Sequence, residues 1–379
     1  MKKILLYAAP FSYGPTGKAL SLASHLKNLY QVELAGNNSS YELMRLDKDI
    51  AIINYEFKSS EALANKTILK YDLIISCSDL NLASRAKELG VKSIMLDSLF
   101  WWKFPSYDEI LSTDAYAIQD FIGVREAISS LPQEYPNLHK VGAVLKKDIE
   151  RLKDQHEREN HILINYGGLE SPYVKVLRDS RYPFILTELL SYLFKEHSGF
   201  KFTVTGNSKA MSILEREYSN YKNVKFRTLQ HDDFIVYLAK SKLILTSPGI
   251  ETFYESISLA TPSVLLPPNN STQHLQLLAL INSGIESPVC HYNYYCEEYK
   301  YETNCDEANQ IKVVLKNLDC IYESKDLRNS YLTNLSALIN TRLSPNLDIY
   351  ERKKQEYIKN IGCNGGQAIV KVVKDLIGS

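Results

Sequence analysis

The sequence lacks an excess of either charge. Lys and Arg together number 44, Asp and Glu together number 44, and the formal net charge is zero. Nucleic-acid-binding proteins usually carry a basic excess or a basic stripe. We therefore expect no nucleic-acid partner, and a substrate that is small or at least not a polyanion.

Long apolar runs are also missing, since no stretch reaches the roughly 18 uninterrupted apolar residues of a transmembrane helix. The N-terminus has two lysines and then a short apolar run, Ile4–Ala9. Because this run is short for a signal peptide and a turn follows at once, it is predicted to be a buried first strand. We expect a cytoplasmic protein without a transmembrane segment.

Cysteines are few and widely spaced, and no Cys-x-x-Cys pair occurs. This spacing provides neither a disulfide framework nor a zinc site, and it is typical of reduced thiols in the cytosol. The cysteines are Cys77, Cys290, Cys296, Cys305, Cys320 and Cys363.

Two domains are expected for 379 residues, at roughly 150 residues per domain. Short β-rich runs alternate with amphipathic helical patterns from Ile4 to Val144, and the alternation restarts at His161. The charged stretch between them, Lys146–Asn160, is predicted to be a linker. Such alternation favours parallel βαβ units covered on both faces. The predicted fold is α/β, with two Rossmann-like doubly wound domains facing each other across a cleft.

A glycine-rich turn, Tyr13–Lys18, follows the first predicted strand and precedes a helical pattern. It is not a P-loop, because Ser12 replaces the first glycine of that motif and Ala19 replaces the hydroxyl residue that binds magnesium. Amides at such a helix start can hold an oxygen-rich ligand; an ordinary tight turn is the alternative. The candidate ligand-binding residues of this turn are Gly14, Thr16 and Gly17.

The most informative segment is Leu243–Leu280. A predicted strand ends at Thr246, and Ser247-Pro248-Gly249 then opens a helix. Its free amides and the positive end of its dipole therefore point at whatever lies over the strand. Glu255 lies further along this helix, and a second strand ends beside it at Pro267-Pro268. The arrangement predicts a diphosphate cradle with a carboxylate placed to accept hydrogen bonds from ribose hydroxyls.

This segment resembles the donor-site signature of GT-B glycosyltransferases, especially the peptidoglycan N-acetylglucosaminyltransferases and their relatives. The family pattern has Gly, Thr and Glu at three-residue intervals, then a small residue with Pro, then Gln in the following loop. Here the corresponding residues are Gly249, Thr252, Glu255, Thr261-Pro262 and Gln273. The resemblance implies that Glu255 binds the ribose of a uridine nucleotide and that Gln273 contacts the sugar.

Further positions match the same family. Tyr166-Gly167-Gly168 matches the glycine loop near the diphosphate, Thr205-Gly206 follows the next strand, and Leu229 falls where backbone groups contact the base. With Ser247, these residues complete the candidate donor site. The resemblance covers nearly all of residues 161–280, and the N-terminal half only loosely.

The resemblance implies an acceptor domain at residues 1–150, a nucleotide-sugar donor domain at 151–362, and a closing helix at 363–379 that returns toward the N-terminal domain. Many relatives carry His in the first glycine-rich loop, where this chain has Gly17-Lys18. The acceptor and the catalytic base therefore cannot be carried over from the family.

Asp97 is the candidate catalytic base. It ends a predicted strand, and the cluster Leu99-Phe100-Trp101-Trp102 that follows can shield it and raise its pKa. A helix cap or a solvated loop carboxylate is the alternative. Lys18, Asp79 and an acceptor group that needs no base are competitors. Trp101 is a candidate substrate-binding residue because aromatic rings present their faces to sugar C–H groups; packing in the domain core is the alternative.

Asp47-Lys48-Asp49 has the Asp-x-Asp spacing that metal-dependent sugar transferases use. It precedes a predicted strand instead of ending one, which favours a solvated loop on the wrong rim of the sheet. We predict no metal and no cofactor, because amides at Gly167-Gly168 and Ser247–Gly249 can stabilise the leaving diphosphate.

The predicted activity is hexosyl transfer with inversion, from a nucleotide diphosphate sugar to an unidentified acceptor. One alternative is a nucleotide-sugar hydrolase or epimerase of the same fold. Another is a non-catalytic subunit that binds a nucleotide sugar. The sugar, the acceptor and the oligomeric state are left open by the sequence.

Overall fold

The computed structural model describes residues 1–55, 61–295, 306–344, 346 and 348–378, with the backbone alone for 61–63. The chain divides into two compact units, and each has its own parallel sheet. Unit 1 comprises Met1–Asp148 and Ile358–Ser379, and unit 2 comprises Ile149–Tyr357.

Unit 1 contains a seven-stranded parallel sheet. Its strands are β1 (Lys3–Ala8), β2 (Gln31–Gly36), β3 (Ala51–Asn54), β4 (Leu73–Cys77), β5 (Lys92–Asp97), β6 (Ala115–Gln119) and β7 (Leu138–Val141). The helices between them are α1 (Gly14–Leu26), α2 (Asn38–Met44), α3 (Glu61–Ile68), α4 (Leu80–Glu88), α5 (Tyr107–Leu111) and α6 (Val124–Ser129). The strand order is β3-β2-β1-β4-β5-β6-β7.

Strand β1 shows why this sheet is covered on both faces. Ile4 and Leu6 belong to one buried cluster, and Leu5 and Tyr7 belong to another. Successive side chains of a strand point to opposite faces. A continuous apolar run is therefore stable only where helices cover both sides, as in a doubly wound fold.

Unit 2 contains a five-stranded parallel sheet. Its strands are β8 (Glu159–Asn165), β9 (Lys201–Thr205), β10 (Val224–Arg227), β11 (Ser241–Thr246) and β12 (Ser263–Leu265). Its helices are α7 (Ile149–Gln155), α8 (Tyr182–Glu196), α9 (Ser208–Glu217), α10 (His231–Lys240), α11 (Ile250–Ser258), α12 (Ser271–Asn282), α13 (Glu307–Glu323), α14 (Lys325–Leu343) and most of α15 (Ile349–Ile361), whose residues from Ile358 onward belong to unit 1. The strand order is β10-β9-β8-β11-β12.

The last helix, α16 (Gly365–Ile377), belongs to unit 1. Its residues Ile369 and Val373 are buried in the same cluster as Ile4 and Leu6. Two glycines open it because the backbone passes close to other groups. A Cβ at Gly365 would collide with the carbonyl oxygen of Gly142, and a Cβ at Gly366 would collide with the ring of His25.

One sequence-based expectation needs correction. Lys146–Asn160 is not a plain linker, because it contains α7 and the start of β8. Its mostly charged composition hid a short helix that buries Ile149. The Tyr-rich segment 286–304 was expected to be irregular, and its described part contains two short 3₁₀ turns, at Pro288–Cys290 and Tyr292–Tyr294. The rest of this segment, with Cys296, lies outside the described residues, as does Cys305.

Unit 2 also buries a cluster of charged side chains, the α15 ion cluster: Glu286, Arg342, Asp348, Glu351 and Lys354. Lys354 Nζ lies 2.7 Å from Glu286 Oε2 and 2.9 Å from Glu351 Oε1. It also donates to the carbonyl oxygen of Ser263, at the start of β12, over 3.1 Å. Burial alone would lower the pKa of Lys354, but Glu286 and Glu351 hold it above its usual value. The cluster thus fastens α14 and α15 to the sheet.

Within the described ranges, none of the helices has the length and apolarity needed to cross a membrane.

Candidate nucleotide-sugar site

The carboxyl ends of β8 and β11 form the centre of the candidate site in unit 2. The strand order changes direction between these two neighbours. At such a point the connections leave to opposite faces of the sheet and open a crevice for ligands. Ser247 N donates to the carbonyl oxygen of Asn165 over 2.9 Å.

Asn165 ties three parts of this edge together, although the sequence did not single it out. Its Nδ2 lies 3.2 Å from Thr246 Oγ1, at the end of β11, and 3.4 Å from Thr252 Oγ1, in the first turn of α11. Its Oδ1 accepts from the amide of Gly167 over 3.0 Å. The end of β8, the end of β11 and the start of α11 are therefore held in one arrangement.

The N-terminus of α11 borders open space. Gly249 caps it with an extended backbone, at φ −169°. A Cβ added at Gly249 would meet no atom of the described residues within 4 Å. The amides of a first helical turn have no intrahelical acceptors, and the helix dipole adds partial positive charge. This end of α11 is suited to an anion such as a diphosphate.

Glu255 lies on α11, and its side chain is almost completely buried, with 4% exposed. Its Oε1 lies 2.7 Å from Nε2 of His231, the first residue of α10. Because a carboxylate oxygen accepts, Nε2 carries the proton and donates. The pair fixes the Glu255 carboxylate, which keeps lone pairs for further hydrogen bonds. The sequence analysis singled out Glu255 but not His231.

The predicted glycines lie where two loops approach closely. Gly167 has φ +71°, in the left-handed region that favours glycine. A Cβ at Gly206 would lie 3.1 Å from the Gly167 carbonyl oxygen. Gly168 continues the same loop and is buried. A Cβ at Gly206 would therefore require the Gly167 carbonyl oxygen to move by a few tenths of an ångström.

Leu229 and Gln273 make local contacts near this edge. The Leu229 amide donates to Thr205 Oγ1 over 3.3 Å. Gln273 Oε1 accepts from the Asn269 amide over 2.9 Å, and Asn270 Oδ1 accepts from the Gln273 amide over 2.9 Å. This reciprocal cap holds the Gln273 side chain against the loop that follows β12.

Asp97 in unit 1 is the last residue of β5 and is buried. Its Oδ1 accepts from the Leu99 amide over 2.6 Å, and its Oδ2 accepts from the Tyr116 hydroxyl over 2.8 Å. Burial raises the pKa of Asp97, although these two bonds and the nearby Lys18 oppose the increase. The Asp97 side chain therefore holds its loop in place through these bonds. Because its pKa is raised, it also binds a proton more readily than an exposed Asp does.

The other candidates of unit 1 lie on one helix and one loop. Gly14, Thr16 and Gly17 form the first turn of α1, and Thr16 is fully buried. Trp101 donates from Nε1 to the Ser98 carbonyl oxygen over 3.1 Å, and its ring centroid lies 5.3 Å from that of Phe121. Part of the Trp101 ring thus packs within unit 1, and the side chain remains half-buried.

Asp47-Lys48-Asp49 precedes β3 and so lies at the amino edge of the sheet, away from the carboxyl ends of the strands. Asp47 Oδ1 accepts from the Asp49 amide over 2.8 Å, and Asp49 Oδ2 lies 3.7 Å from Lys27 Nζ. Among the described residues, no group of three or more His, Cys, Asp or Glu side chains is arranged to hold a metal ion.

By sequence, no family model and no curated protein matches the chain. By structure, it is similar over 99% of its length to Acinetobacter baumannii MurG, with 100% of that chain covered, 14% identity and a TM-score of 0.52. It is similar to the UDP-GlcNAc 2-epimerase of Neisseria meningitidis bound to UDP-GlcNAc, over 99% of this chain and 100% of that chain, with 12% identity and a TM-score of 0.54. It is also similar to UGT71G1 of Medicago truncatula, complexed with UDP-glucose, over 100% of this chain and 98% of that chain, with 13% identity and a TM-score of 0.51.

The fold is GT-B. The expected resemblance to GT-B glycosyltransferases is thereby confirmed, and so is the expected α/β fold with two Rossmann-like domains. The GT-B neighbours include glycosyltransferases and UDP-GlcNAc 2-epimerases. At 12–14% identity, these structures show the fold and leave the activity open.

Proposed function

We propose that this protein is a glycosyltransferase that takes a hexose from a uridine diphosphate sugar bound by unit 2. The observation that carries this function is the Glu255–His231 pair, with Nε2 and Oε1 2.7 Å apart, on the helix whose N-terminus borders open space. UDP-glucose and UDP-GlcNAc are bound by two proteins of the same fold.

The donor is held by groups of different character. The amides at the start of α11 and in the Gly167-Gly168 loop are suited to the two phosphates. Glu255 accepts hydrogen bonds from the ribose, and His231 keeps its carboxylate in position. The same amides stabilise the charge that develops on the diphosphate as the bond to the sugar breaks.

The reaction is proposed to be a single displacement with inversion. An acceptor oxygen attacks the anomeric carbon, the bond to the diphosphate breaks, and UDP leaves. The developing positive charge on the sugar ring has oxocarbenium character, as in glycoside cleavage. Asp97 is the proposed base for the proton of the acceptor, because its raised pKa brings it closer to the pH at which a base works.

Glu255→Ala is expected to weaken UDP binding by about 10- to 150-fold, since a hydrogen bond to a charged group contributes roughly 1.5–3 kcal/mol. Calorimetric titration of the wild type and the variant measures this change. Titration with 2′-deoxy-UDP tests whether Glu255 binds the ribose. The difference in affinity between wild type and variant is expected to be smaller for 2′-deoxy-UDP than for UDP. The matched control is Glu217→Ala, an exposed carboxylate at the end of α9. Equal UDP affinity in a correctly folded Glu255→Ala variant contradicts the donor site.

Transfer is expected to continue in excess EDTA, because helix-end and loop amides, not a cation, stabilise the leaving group. The measurement is UDP release in the presence of chelator, compared with the same protein supplied with Mg²⁺ or Mn²⁺. Complete loss of activity that returns with either cation shows that the leaving diphosphate is stabilised by a metal.

An epimerase or hydrolase is the second candidate, because the Neisseria epimerase shares the fold over 99% of this chain. These activities need no added acceptor. Product analysis of UDP-GlcNAc and UDP-glucose without acceptor separates them: an epimer or a free sugar supports this second candidate. A protein that binds UDP and never turns over any donor is a non-catalytic binder.

A further inference from the structure

Glu170 is a buried carboxylic acid side chain in unit 2 to which neither the fold nor the proposed donor site assigns a role. The residue is 8% exposed. Its Oε1 makes no hydrogen bond within the part of the chain that the structure describes. Burying a polar group without replacing its hydrogen bonds to water costs free energy, and more so for a charge. Such a group calls for an explanation, and a partner that binds from outside the chain supplies one.

Glu170 lies near the candidate donor site along the chain. It is five residues after Asn165, so the two Cα atoms are at most about 18 Å apart. The loop that contains it runs from the end of β8 to Tyr182, the first residue of α8. The Tyr166 amide donates to the Thr205 carbonyl oxygen over 2.9 Å, and the Tyr182 hydroxyl donates to the Pro267 carbonyl oxygen over 2.5 Å. Both ends of the loop are thus attached at the carboxyl edge of the sheet.

A carboxylate can bind only those parts of the donor that offer hydrogen-bond donors and carry no negative charge. An ionised carboxylate only accepts hydrogen bonds. The diphosphate is anionic and has no hydrogen to donate, and placing a second negative charge beside it is unfavourable. The hexose carries several hydroxyl donors, and hydrogen bonds from them to a carboxylate are stronger than bonds between neutral groups.

We propose that Glu170 binds hydroxyl groups of the donor sugar and so determines which sugar is accepted. This role rests on the proposed function, because it needs a nucleotide sugar at the carboxyl edge of β8 and β11. In this arrangement α11 and Glu255 bind the uridine diphosphate, and Glu170 binds the sugar. Losing the Glu170 carboxylate therefore weakens binding of the sugar and leaves binding of UDP intact.

The test uses Glu170→Gln, which keeps the shape of the side chain, and Glu170→Met, which removes its hydrogen-bonding groups. Thermal unfolding is measured without ligand, and UDP, UDP-glucose and UDP-GlcNAc are titrated in EDTA and again with Mg²⁺. Glu170→Met is expected to unfold at least about 2 °C higher than the wild type, since the buried group without a partner is gone. Glu170→Gln keeps a buried polar group and is expected to unfold close to the wild-type temperature. UDP affinity is expected to stay within about two-fold, and the affinity of the preferred UDP-sugar to fall about 10-fold or more.

Four results overturn the role of Glu170. A lower unfolding temperature of both variants, with UDP and UDP-sugar weakened together, shows a structural residue. A loss of affinity seen only with Mg²⁺ shows a carboxylate that holds a cation on the diphosphate. Unchanged affinity for every UDP-sugar, with normal UDP binding, shows that the sugar binds elsewhere and leaves the proposed function intact. A wild type that binds no UDP overturns the proposed function and the role of Glu170 with it.

Discussion

Lys354→Met is expected to lower the free energy of unfolding by about 3–5 kcal/mol, the usual cost of removing one partner of a buried ion pair. Lys354 is fully buried, and its ammonium group lies within 3 Å of both Glu286 and Glu351. Without it these carboxylates lose their closest cation in a place that water does not reach. Thermal or urea unfolding of the purified protein measures the change, and a decrease in Tm of at least about 6 °C is expected for a domain of this size.

A double variant separates lost charge pairing from lost packing. Lys354→Met combined with Glu351→Gln removes charges of both signs. The double variant is therefore expected to lose less free energy of unfolding than the two single variants together. The matched surface control is Arg178→Ala, whose side chain is 73% exposed and pairs with Asp179; its Tm is expected to be close to that of the wild type. If the loss of free energy of unfolding in the double variant equals the sum of the two single losses, Lys354 and Glu351 are not coupled in the α15 ion cluster.

Asp97→Asn is expected to lower turnover about 100-fold or more, the usual range for loss of a general base. Donor affinity is expected to stay the same, because Asp97 belongs to unit 1 and the proposed donor site to unit 2. A base works in its deprotonated form, so kcat/KM falls as the pH falls through the pKa of Asp97. Because burial raises that pKa, the acid limb is expected above the usual Asp value of about 3.9.

The pH profile distinguishes a base from a residue that only braces its loop. Asn keeps an oxygen that can accept from the Leu99 amide or from the Tyr116 hydroxyl, so a merely structural role leaves most of the turnover and the acid limb in place. The control is Asp49→Asn, whose side chain is 75% exposed at the amino edge of the sheet; it is expected to behave like the wild type. Near-full turnover of Asp97→Asn on the true acceptor excludes Asp97 as the base.

The sequence predicted the two sheets well because their strands are short, apolar and separated by amphipathic helices. Asp97 was expected to end a strand and does so, at the last position of β5. The helix that carries Glu255 was expected directly after Gly249 and begins at Ile250. The first helix was expected to begin only at Lys18, but α1 begins at Gly14, because proline is well tolerated in a first helical turn.

The partners of the predicted residues were harder to find from the sequence. Asn165 and His231 contact Thr252 and Glu255 through side chains that are 87 and 24 residues away along the chain. No local pattern shows such a contact, because it depends on how the strands and helices pack. The helices α13 and α14 were not predicted individually, and charged residues buried in the α15 ion cluster do not follow the usual apolar pattern of a core. Glu170 was missed for a similar reason, since burial without a partner is visible only in a structure.

A thermal-shift panel tests the central claim most directly: that unit 2 binds a uridine diphosphate sugar. Uridine, thymidine and guanosine diphosphate sugars are each added to the wild type and to Glu255→Ala. A ligand at 100 times its dissociation constant stabilises a protein by about 2.7 kcal/mol, which is measurable as a rise in Tm. The account predicts the largest rise with a UDP-sugar and a much smaller rise in the Glu255→Ala variant. No rise with any nucleotide sugar, or an equal rise in wild type and variant, contradicts it.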